Sequence, residues 1–191
     1  MGTDQLRIPY SLAHHVATAI VATLRPACER IVIAGSLRRK RETVHDIDLV
    51  LISRLERVSA SQRALFGEAD TVDQRAVDGV VRGFQEADKI RELAIAEKTI
   101  RFVATKSDIA VDLYLATPET WATILLVRTG SKEHNIFLAQ KARQRGLILK
   151  ADGTGIVSQT TGEPAGVFRN EGQIFNTLAM RYVAPEDRET R

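Results

Sequence analysis

Two acidic residues two positions apart, Asp46 and Asp48, stand at the start of an apolar run. Alternate side chains of an extended strand project from the same face, so both carboxylates are expected on one face. Two neighbouring carboxylates repel each other and resist joint ionisation unless a cation lies between them. Hard divalent cations prefer oxygen ligands, and Mg²⁺ above all meets this need. Taken in isolation, the same pair is also typical of two solvent-facing acids on an edge strand.

A glycine-serine pair lies upstream of these acids and is followed by an uninterrupted basic run over residues 38–41. Gly35 allows the backbone to approach a ligand closely, Ser36 offers a hydroxyl, and backbone amides at a helix start bind phosphate. Basic side chains beside such a turn neutralise a triphosphate. The segment over residues 34–50 therefore combines an anion site with a metal-binding pair, as nucleoside triphosphate chemistry requires. A nuclear localisation signal is the alternative interpretation of the basic run.

The composition indicates a chain with a hydrophobic core and no covalent framework. It has 191 residues, 44% of them hydrophobic, and a single cysteine, Cys28. One cysteine excludes a disulfide framework and a cysteine-rich zinc site. No apolar run approaches the ~20 residues of a membrane span, and the N-terminus lacks the apolar region of a secretory signal. We therefore expect a cytoplasmic protein that is not secreted and has no membrane partner.

The distribution of charge favours a polyanionic partner more than the net charge does. The sequence carries 27 Lys and Arg against 24 Asp and Glu, a net charge of +3. Residues 128–150 form a second basic cluster, with six basic residues against one acidic residue, Glu133. Two basic clusters on an otherwise balanced chain fit a nucleic acid or a nucleotide. Solvated helix faces are the alternative explanation of the same residues.

Hydrophobic periodicity predicts the elements that must position these residues. A helix is expected over residues 11–24 with Ser11 as its N-cap, and helical spacing recurs within residues 59–86. Short strands are predicted at residues 31–34, 47–52, 99–104 and 109–116. The acidic pair would thus enter the second of these strands.

The C-terminal part of the chain predicts helices around a hairpin. The expected elements are helices at residues 118–127, 131–145 and 174–180 and a hairpin within residues 147–157. We therefore expect an α+β fold in two parts. Residues 1–117 would form a mixed β-sheet with flanking helices, and residues 118–191 would form a smaller helix–hairpin–helix subdomain.

The segment over residues 34–50 resembles the G-S-x-R-R…D-I-D signature of family X DNA polymerases, in the nucleotidyltransferase superfamily of DNA polymerase beta. The T-G-S-K-E-H-N run at residues 129–135 is similar to a segment of the bacterial members, and V-D-L at residues 111–113 to the strand of the third carboxylate. Residues 7–9 and 171–188 resemble the two ends of the polymerase core. We expect a minimal member with a nucleotidyltransferase palm and a C-terminal subdomain only, close to bacterial and small viral relatives.

The resemblance implies a site for two Mg²⁺ ions, with Mn²⁺ as a substitute. Asp46 and Asp48 would bind both ions, and Asp112 would bind only the catalytic one, beside the primer 3′-hydroxyl. Asp108 competes for this third position because it would share a face of the same strand. Asp112 is favoured since apolar residues flank it, whereas Asp108 lies in a turn-like sequence.

The resemblance also implies the residues that bind the incoming nucleotide. Ser36 and Arg39 would bind the β- and γ-phosphates, with Gly35 allowing their close approach. Arg7 would reach the γ-phosphate.

Three further residues would contact the sugar and the base. Gly130 and Ser131 would form the turn beside the incoming sugar, and Asn135 would contact the minor-groove edge of the nascent base pair, where the two orientations of a pair look alike. His45 and His134 flank these motifs, and either imidazole could become charged near a phosphate.

These implications amount to a template-directed DNA polymerase that adds dNTPs to a primer 3′-hydroxyl by two-metal phosphoryl transfer. Its partners would be dNTPs and primer–template or gapped DNA, and we expect a monomer of bacterial, viral or phage origin that fills short gaps in DNA repair. One alternative is a nucleotidyltransferase for another acceptor, such as an RNA 3′-end or a small molecule. Another is a catalytically silent nucleic-acid-binding protein, which the presence of all three carboxylates disfavours.

Overall fold

A five-stranded mixed β-sheet is the central feature of the fold. The computed structural model of the protein describes residues 7–59 and 71–189. The strands are β1 (Ile8–Pro9), β2 (Cys28–Ile33), β3 (Thr43–Val44), β4 (Asp46–Ser53), β5 (Leu55–Ser59), β6 (Thr71–Arg75), β7 (Ile90–Ile95), β8 (Thr99–Ala104), β9 (Ile109–Leu115), β10 (Leu147–Leu149) and β11 (Ile156–Ser158). The central sheet has the order β2-β4-β9-β8-β7. Within it β4 and β9 run parallel, and the other neighbours are antiparallel.

Helices pack on both faces of this sheet and in the C-terminal part of the chain. They are α1 (Tyr10–Leu24), α2 (Gly35–Arg38), α3 (Ala76–Glu86), α4 (Trp121–Thr129), α5 (Lys132–Arg143) and α6 (Glu171–Thr177). Ile47, Leu49 and Leu51 point to the face where α1 and α3 pack, and all three side chains are fully buried. The strict alternation of β4 therefore sends its other residues, including Asp46 and Asp48, to the opposite face.

That opposite face is covered over only part of its length. Val50 and Tyr114 pack there against α4, whose first residue, Trp121, is buried in the same cluster. Asp46 and Asp48 precede Val50 along β4 and lie beyond this apolar cover. On this face, one end of the sheet is therefore packed against α4, and the other end carries the polar side chains of Asp46 and Asp48.

A separate apolar cluster lies in the C-terminal part of the chain. It joins α4, α5 and α6 with the antiparallel hairpin of β10 and β11, and Leu126, Leu138 and Phe175 are fully buried in it. The outer hairpin of β5 and β6 and the small pair of β1 and β3 complete the described sheets. The predicted α+β class is confirmed, while the domain boundary after residue 117 stays a prediction.

The predicted elements are found with shifted ends. Ser11 is not the N-cap of α1, because the helix begins at Tyr10 after Pro9 and has no side-chain cap. The helix predicted from residue 118 begins at Trp121, and the last helix begins at Glu171 instead of residue 174. The prediction omitted β7, the hairpin of β5 and β6, and the pair of β1 and β3. Part of the segment predicted over residues 59–86 lies outside the described residues.

No helix within residues 7–59 and 71–189 combines the length and the apolar character that a bilayer span requires.

Candidate active site

Two carboxylates face each other where the parallel strands begin. Asp48 of β4 is the register partner of Asp112 of β9, and Asp46 lies two residues earlier on the same face. The Asp112 Oδ1 forms an ion pair with the Arg101 Nε at 3.0 Å, and its Oδ2 accepts a hydrogen bond from the Tyr114 hydroxyl at 3.2 Å. We call Asp46, Asp48 and Asp112 the carboxylate cluster.

The cluster is electrostatically strained. Burial, followed by the charges of Asp46 and Asp112, raises the pKa of Asp48 to about 7, against the opposing effects of Tyr114 and Arg128. Burial and then the charge of Asp112 also raise the pKa of Asp46. A bound cation would relieve this repulsion, and carboxylate oxygens are the donors that Mg²⁺ prefers.

The three carboxylates of the cluster are not close enough together to form one metal-ligand set. Over residues 7–59 and 71–189, no three His, Cys, Asp or Glu side chains come together closely enough to hold a metal ion. The oxygens of Asp112 form an ion pair with Arg101 and accept a hydrogen bond from Tyr114. The carboxylate oxygens of the cluster are by their chemistry donors that fit Mg²⁺.

Gly35, at the start of α2, lies against the carboxylate cluster. Its φ of +57° belongs to the left-handed region, and a Cβ added there would lie 1.9 Å from the Asp48 Oδ2. The Ala34 amide donates to the Asp48 carbonyl at 2.8 Å and fixes this turn on β4. The sequence predicted that Gly35 makes room for a ligand, and the structure shows that it makes room for Asp48.

Arg39 connects the turn after α2 to the C-terminal part of the chain. Its guanidinium donates to the Thr129 carbonyl and, through Nε, to Glu189 Oε1 at 2.5 Å. Gly130 adjoins it, since a Cβ on Gly130 would lie 3.0 Å from the Arg39 Nη1. Arg41 also faces Glu189, at 3.5 Å. The predicted phosphate-binding arginine is therefore paired with a carboxylate of this chain.

A buried ion-pair network joins the same two parts of the chain. Glu171 accepts from Arg38 at 2.9 and 2.6 Å and from Arg188 at 2.8 Å. Burial by itself would raise the pKa of Glu171, but the hydrogen bonds and charges of the two arginines hold it below its ordinary value. Arg188 is fully buried and also donates to the Val183 carbonyl.

The start of α5 presents the other predicted nucleotide-binding residues. Ser131 is the N-cap and accepts from the His134 amide, while its own hydroxyl donates to the Arg188 carbonyl at 2.7 Å. The peptide bond before Ser131 is cis. The Asn135 side-chain amide donates to the Val127 carbonyl at 2.8 Å, so the donor predicted to reach a base edge is engaged within the protein.

One cavity of about 810 Å³ brings most of the predicted residues together. Asp112 lies outside its lining, on the neighbouring strand. The predicted site residues that line the cavity are Arg7, Gly35, Ser36, Arg39, Asp46, Asp48, Gly130, Ser131 and Asn135. The cavity therefore holds acidic and basic groups side by side, as a site for a metal–triphosphate complex would.

The two histidines that flank the motifs occupy different surroundings. His45 is exposed and lines the cavity. His134 is fully buried against Phe137 and Phe175, and neither ring nitrogen has a partner among the described residues. Burial and the charge of Arg188 lower the pKa of His134 to about 4. The burial of His134 therefore disfavours the charged imidazole that the sequence left open.

Several residues of this site escaped the sequence prediction. Arg101 and Tyr114 contact Asp112, while Glu171 and Glu189 pair with arginines of the basic run. Tyr114 could have been found, because it is two residues from Asp112 on the same strand face. The others come from distant parts of the chain, and no local pattern marks them.

This arrangement defines the class of the protein. An α+β fold here presents carboxylates at the start of two parallel strands, beside a turn with basic residues and a cavity closed by the start of a second helical part. Residues 124–189 match the family described as DNA polymerase beta thumb.

The chain is also similar to the DNA polymerase/3′-5′ exonuclease PolX of Bacillus subtilis strain 168, with 28% identity over 191 residues that cover 99% of this chain. Together, the two comparisons support a family X polymerase-like protein. The match covers 30% of the length of the Bacillus protein, so this chain corresponds to less than a third of that relative.

Proposed function

We propose that this protein is a template-directed DNA polymerase that transfers nucleotides from dNTPs to a primer 3′-hydroxyl. The observation that carries the proposal is the carboxylate cluster beside a cavity that Arg39 and Ser36 also line. Repelling carboxylates favour a bound cation, and a guanidinium binds phosphate oxygens. A metal–triphosphate substrate satisfies both requirements at once.

The proposed cofactor is Mg²⁺, for which Mn²⁺ would substitute. Asp46 and Asp48 would hold two ions, and Asp112 would hold one of them. When bound, the ions lower the pKa of the attacking hydroxyl and neutralise the charge of the leaving pyrophosphate. Burial and the charges of neighbouring carboxylates raise the pKa of both Asp46 and Asp48, and a bound cation would offset this repulsion.

The proposed reaction is a single nucleotidyl transfer. The primer 3′-oxygen forms a bond to the α-phosphorus of the dNTP, the bond between that phosphorus and the β-phosphate oxygen breaks, and pyrophosphate leaves. Asp112 orients the hydroxyl or accepts its proton. Ser36, Arg39 and Arg7 bind the phosphates, and the cavity that they line supports this assignment.

The nascent base pair would lie against the start of α5. Gly130 adjoins Arg39, so the turn at Gly130 and Ser131 borders the proposed triphosphate position. Asn135 would reach the base pair after its amide leaves the Val127 carbonyl. The basic residues in and after α5 would contact DNA phosphates, which position a duplex without reading its sequence.

Primer extension on DNA with a one-nucleotide gap, in the presence of Mg²⁺, tests the proposal. We expect extension by the unmodified protein and none by Asp112→Asn, which should still bind dNTP. Asp108→Asn is the matched control, because Asp108 is exposed and pairs with Arg91 away from the cavity. Loss of extension in Asp108→Asn alone would mean that the third carboxylate is wrongly assigned.

The same assay separates the alternatives. Transfer to an RNA 3′-end or a small molecule but not to a DNA primer would indicate another nucleotidyltransferase. Binding of DNA without any transfer would indicate a silent binding protein. The role in gap filling during repair, the monomeric state and the cytoplasmic location stay predictions from the sequence.

A further inference from the structure

The two oxygens of Asp112 interact with two different side chains. The Arg101 Nε lies 3.0 Å from Oδ1 in an ion pair, and the Tyr114 hydroxyl donates a hydrogen bond to Oδ2 at 3.2 Å. Polar contacts on both oxygens restrain the rotation of the carboxylate about its Cβ–Cγ bond. Asp46 and Asp48 form no ion pair within the described residues, so this restraint distinguishes Asp112 in the cluster.

The sheet places both donors on the face of Asp112. Arg101 is its register partner on the antiparallel neighbour β8, and Tyr114 follows it by two residues on β9. Asp48, Asp112 and Arg101 therefore form one row across three strands. Directly paired residues of neighbouring strands have Cβ atoms about 4.5–5.5 Å apart, which keeps the guanidinium within reach of the carboxylate.

Tyr114 is itself fixed. It is buried against α4, and the Arg128 guanidinium lies 4.2 Å from its ring centroid. Arg101 by contrast has a side chain that is 63% exposed. An ion pair this exposed contributes little to folding stability.

We propose that Arg101 is a positioning residue that holds Asp112 in the orientation in which it acts on the attacking hydroxyl. This inference rests on the proposed polymerase function. Arg101 does not line the cavity that holds the proposed phosphate-binding residues, so its removal should affect turnover and not triphosphate binding. Removing groups that orient a ligand to a catalytic centre typically costs about 10- to 100-fold in activity.

The experiment compares Arg101→Gln with the matched control Arg91→Gln. Arg91 of β7 also pairs with an aspartate, Asp108 in the turn before β9, and neither residue lines the cavity. We expect kcat for gap filling to fall about 10- to 100-fold in Arg101→Gln, with unchanged KM for dNTP. Arg91→Gln should behave like the unmodified protein, and Arg101→Lys should recover part of kcat. Equal kcat in Arg101→Gln and Arg91→Gln would overturn the proposal.

An exposed arginine near a DNA site could instead bind a primer phosphate. In that case Arg101→Gln would weaken DNA binding and reduce its salt dependence. The positioning role predicts the same DNA affinity and salt slope as Arg91→Gln, so a loss of DNA binding that accounts for the whole defect would contradict it. Tyr114→Phe gives a second variant, which keeps the ring beneath Arg128 and removes only the hydroxyl.

A spectroscopic measurement that does not depend on catalysis tests this inference separately from the proposed function. In metal-free protein with ¹³C-labelled aspartate, the Asp112 carboxyl resonance, assigned with Asp112→Asn, should shift in Arg101→Gln and Tyr114→Phe but not in Arg91→Gln. An unchanged resonance in Arg101→Gln would show that Arg101 does not hold Asp112. If the unmodified protein fails to extend primers, the proposed function fails, while this spectrum still decides the role of Arg101.

Discussion

The Asp48 carboxylate packs so closely against Gly35 that an added Cβ at Gly35 would lie 1.9 Å from the Asp48 Oδ2. The contact joins the turn after β2 to the beginning of β4, and the hydrogen bond from the Ala34 amide to the Asp48 carbonyl holds it. Two features therefore require a glycine at this position: its left-handed backbone conformation and the space that the Asp48 carboxylate occupies beside it. The position of a proposed metal ligand depends on the absence of one side chain.

Gly35→Ala should disable the site. The new methyl group must displace Asp48, and a misplacement of about 1 Å at a catalytic group can reduce turnover about 100-fold. The left-handed backbone adds about 1–2 kcal/mol of destabilisation. Gap-filling rates and urea unfolding measure the two effects.

Gly146→Ala is the matched control for this change. Gly146 has a φ of +68° with nothing within 4 Å of the added Cβ. It should lose similar stability and keep its activity. Equal activity losses in the two variants would show that backbone strain, and not the displacement of Asp48, inactivates Gly35→Ala.

Glu189 should compete with the triphosphate for Arg39. The pair is partly shielded from water, with side-chain exposures of 15% for Arg39 and 28% for Glu189. Because the carboxylate must leave before a phosphate can bind, Glu189→Gln should tighten dNTP binding about 2- to 5-fold, as expected for a pair worth up to about 1 kcal/mol. Glu186→Gln, which breaks the exposed pair with Lys40, should leave dNTP affinity unchanged. Weaker dNTP binding by Glu189→Gln would mean that Glu189 organises Arg39 for the phosphate.

Glu171→Gln should destabilise the protein by about 3 kcal/mol or more. Its carboxylate is the partner of Arg38 and of the fully buried Arg188, so its neutralisation leaves a buried charge without its counter-ion. Urea unfolding followed by the fluorescence of the single tryptophan, Trp121, measures the loss. The exposed Glu163→Gln serves as control. A loss of unfolding free energy below about 1 kcal/mol would indicate that water already solvates the charge of Arg188.

His134 should make folding stability depend on pH. Its pKa is about 4 in the folded protein, against an ordinary value of 6.5. The unfolded chain therefore binds a proton more readily between these values, and stability is full above about pH 6.5 and declines as the pH falls towards 4. The lost contribution amounts to about 3 kcal/mol.

His134→Phe should remove this part of the pH dependence. Its ring would pack beside Phe137 and Phe175 without leaving a polar partner unsatisfied, because both His134 nitrogens already lack one in the described structure. Urea unfolding at pH 4.5, 5.5 and 7 compares this variant with the unmodified protein and with the exposed His15→Gln. An unchanged slope in His134→Phe would assign the pH dependence to other groups.

The sequence by itself determined the local geometry of the site. The alternation in residues 46–52 put Asp46 and Asp48 on one strand face and the apolar residues on the other, since side chains alternate along a strand whatever its partners are. Alternation alone left Asp108 and Asp112 on one face, and the apolar residues that flank Asp112 favoured it; the structure places Asp112 opposite Asp48 and leaves Asp108 exposed at a turn. The ends of helices were less certain, because Ser11 and the residues after 118 fit more than one starting point.

Only the tertiary structure decided which side chains surround these residues. The register of β8 brings Arg101 to Asp112. The fold also brings together residues that are far apart in sequence: Glu189 and Arg39 are separated by 150 positions, and Glu171 and Arg38 by 133. The sequence left open a charged His134 near a phosphate, whereas burial in the folded protein lowers its pKa and favours the neutral form. Local spacing specifies which face a side chain occupies, whereas its partners depend on strand register and chain topology, which are set by the packing of the whole core.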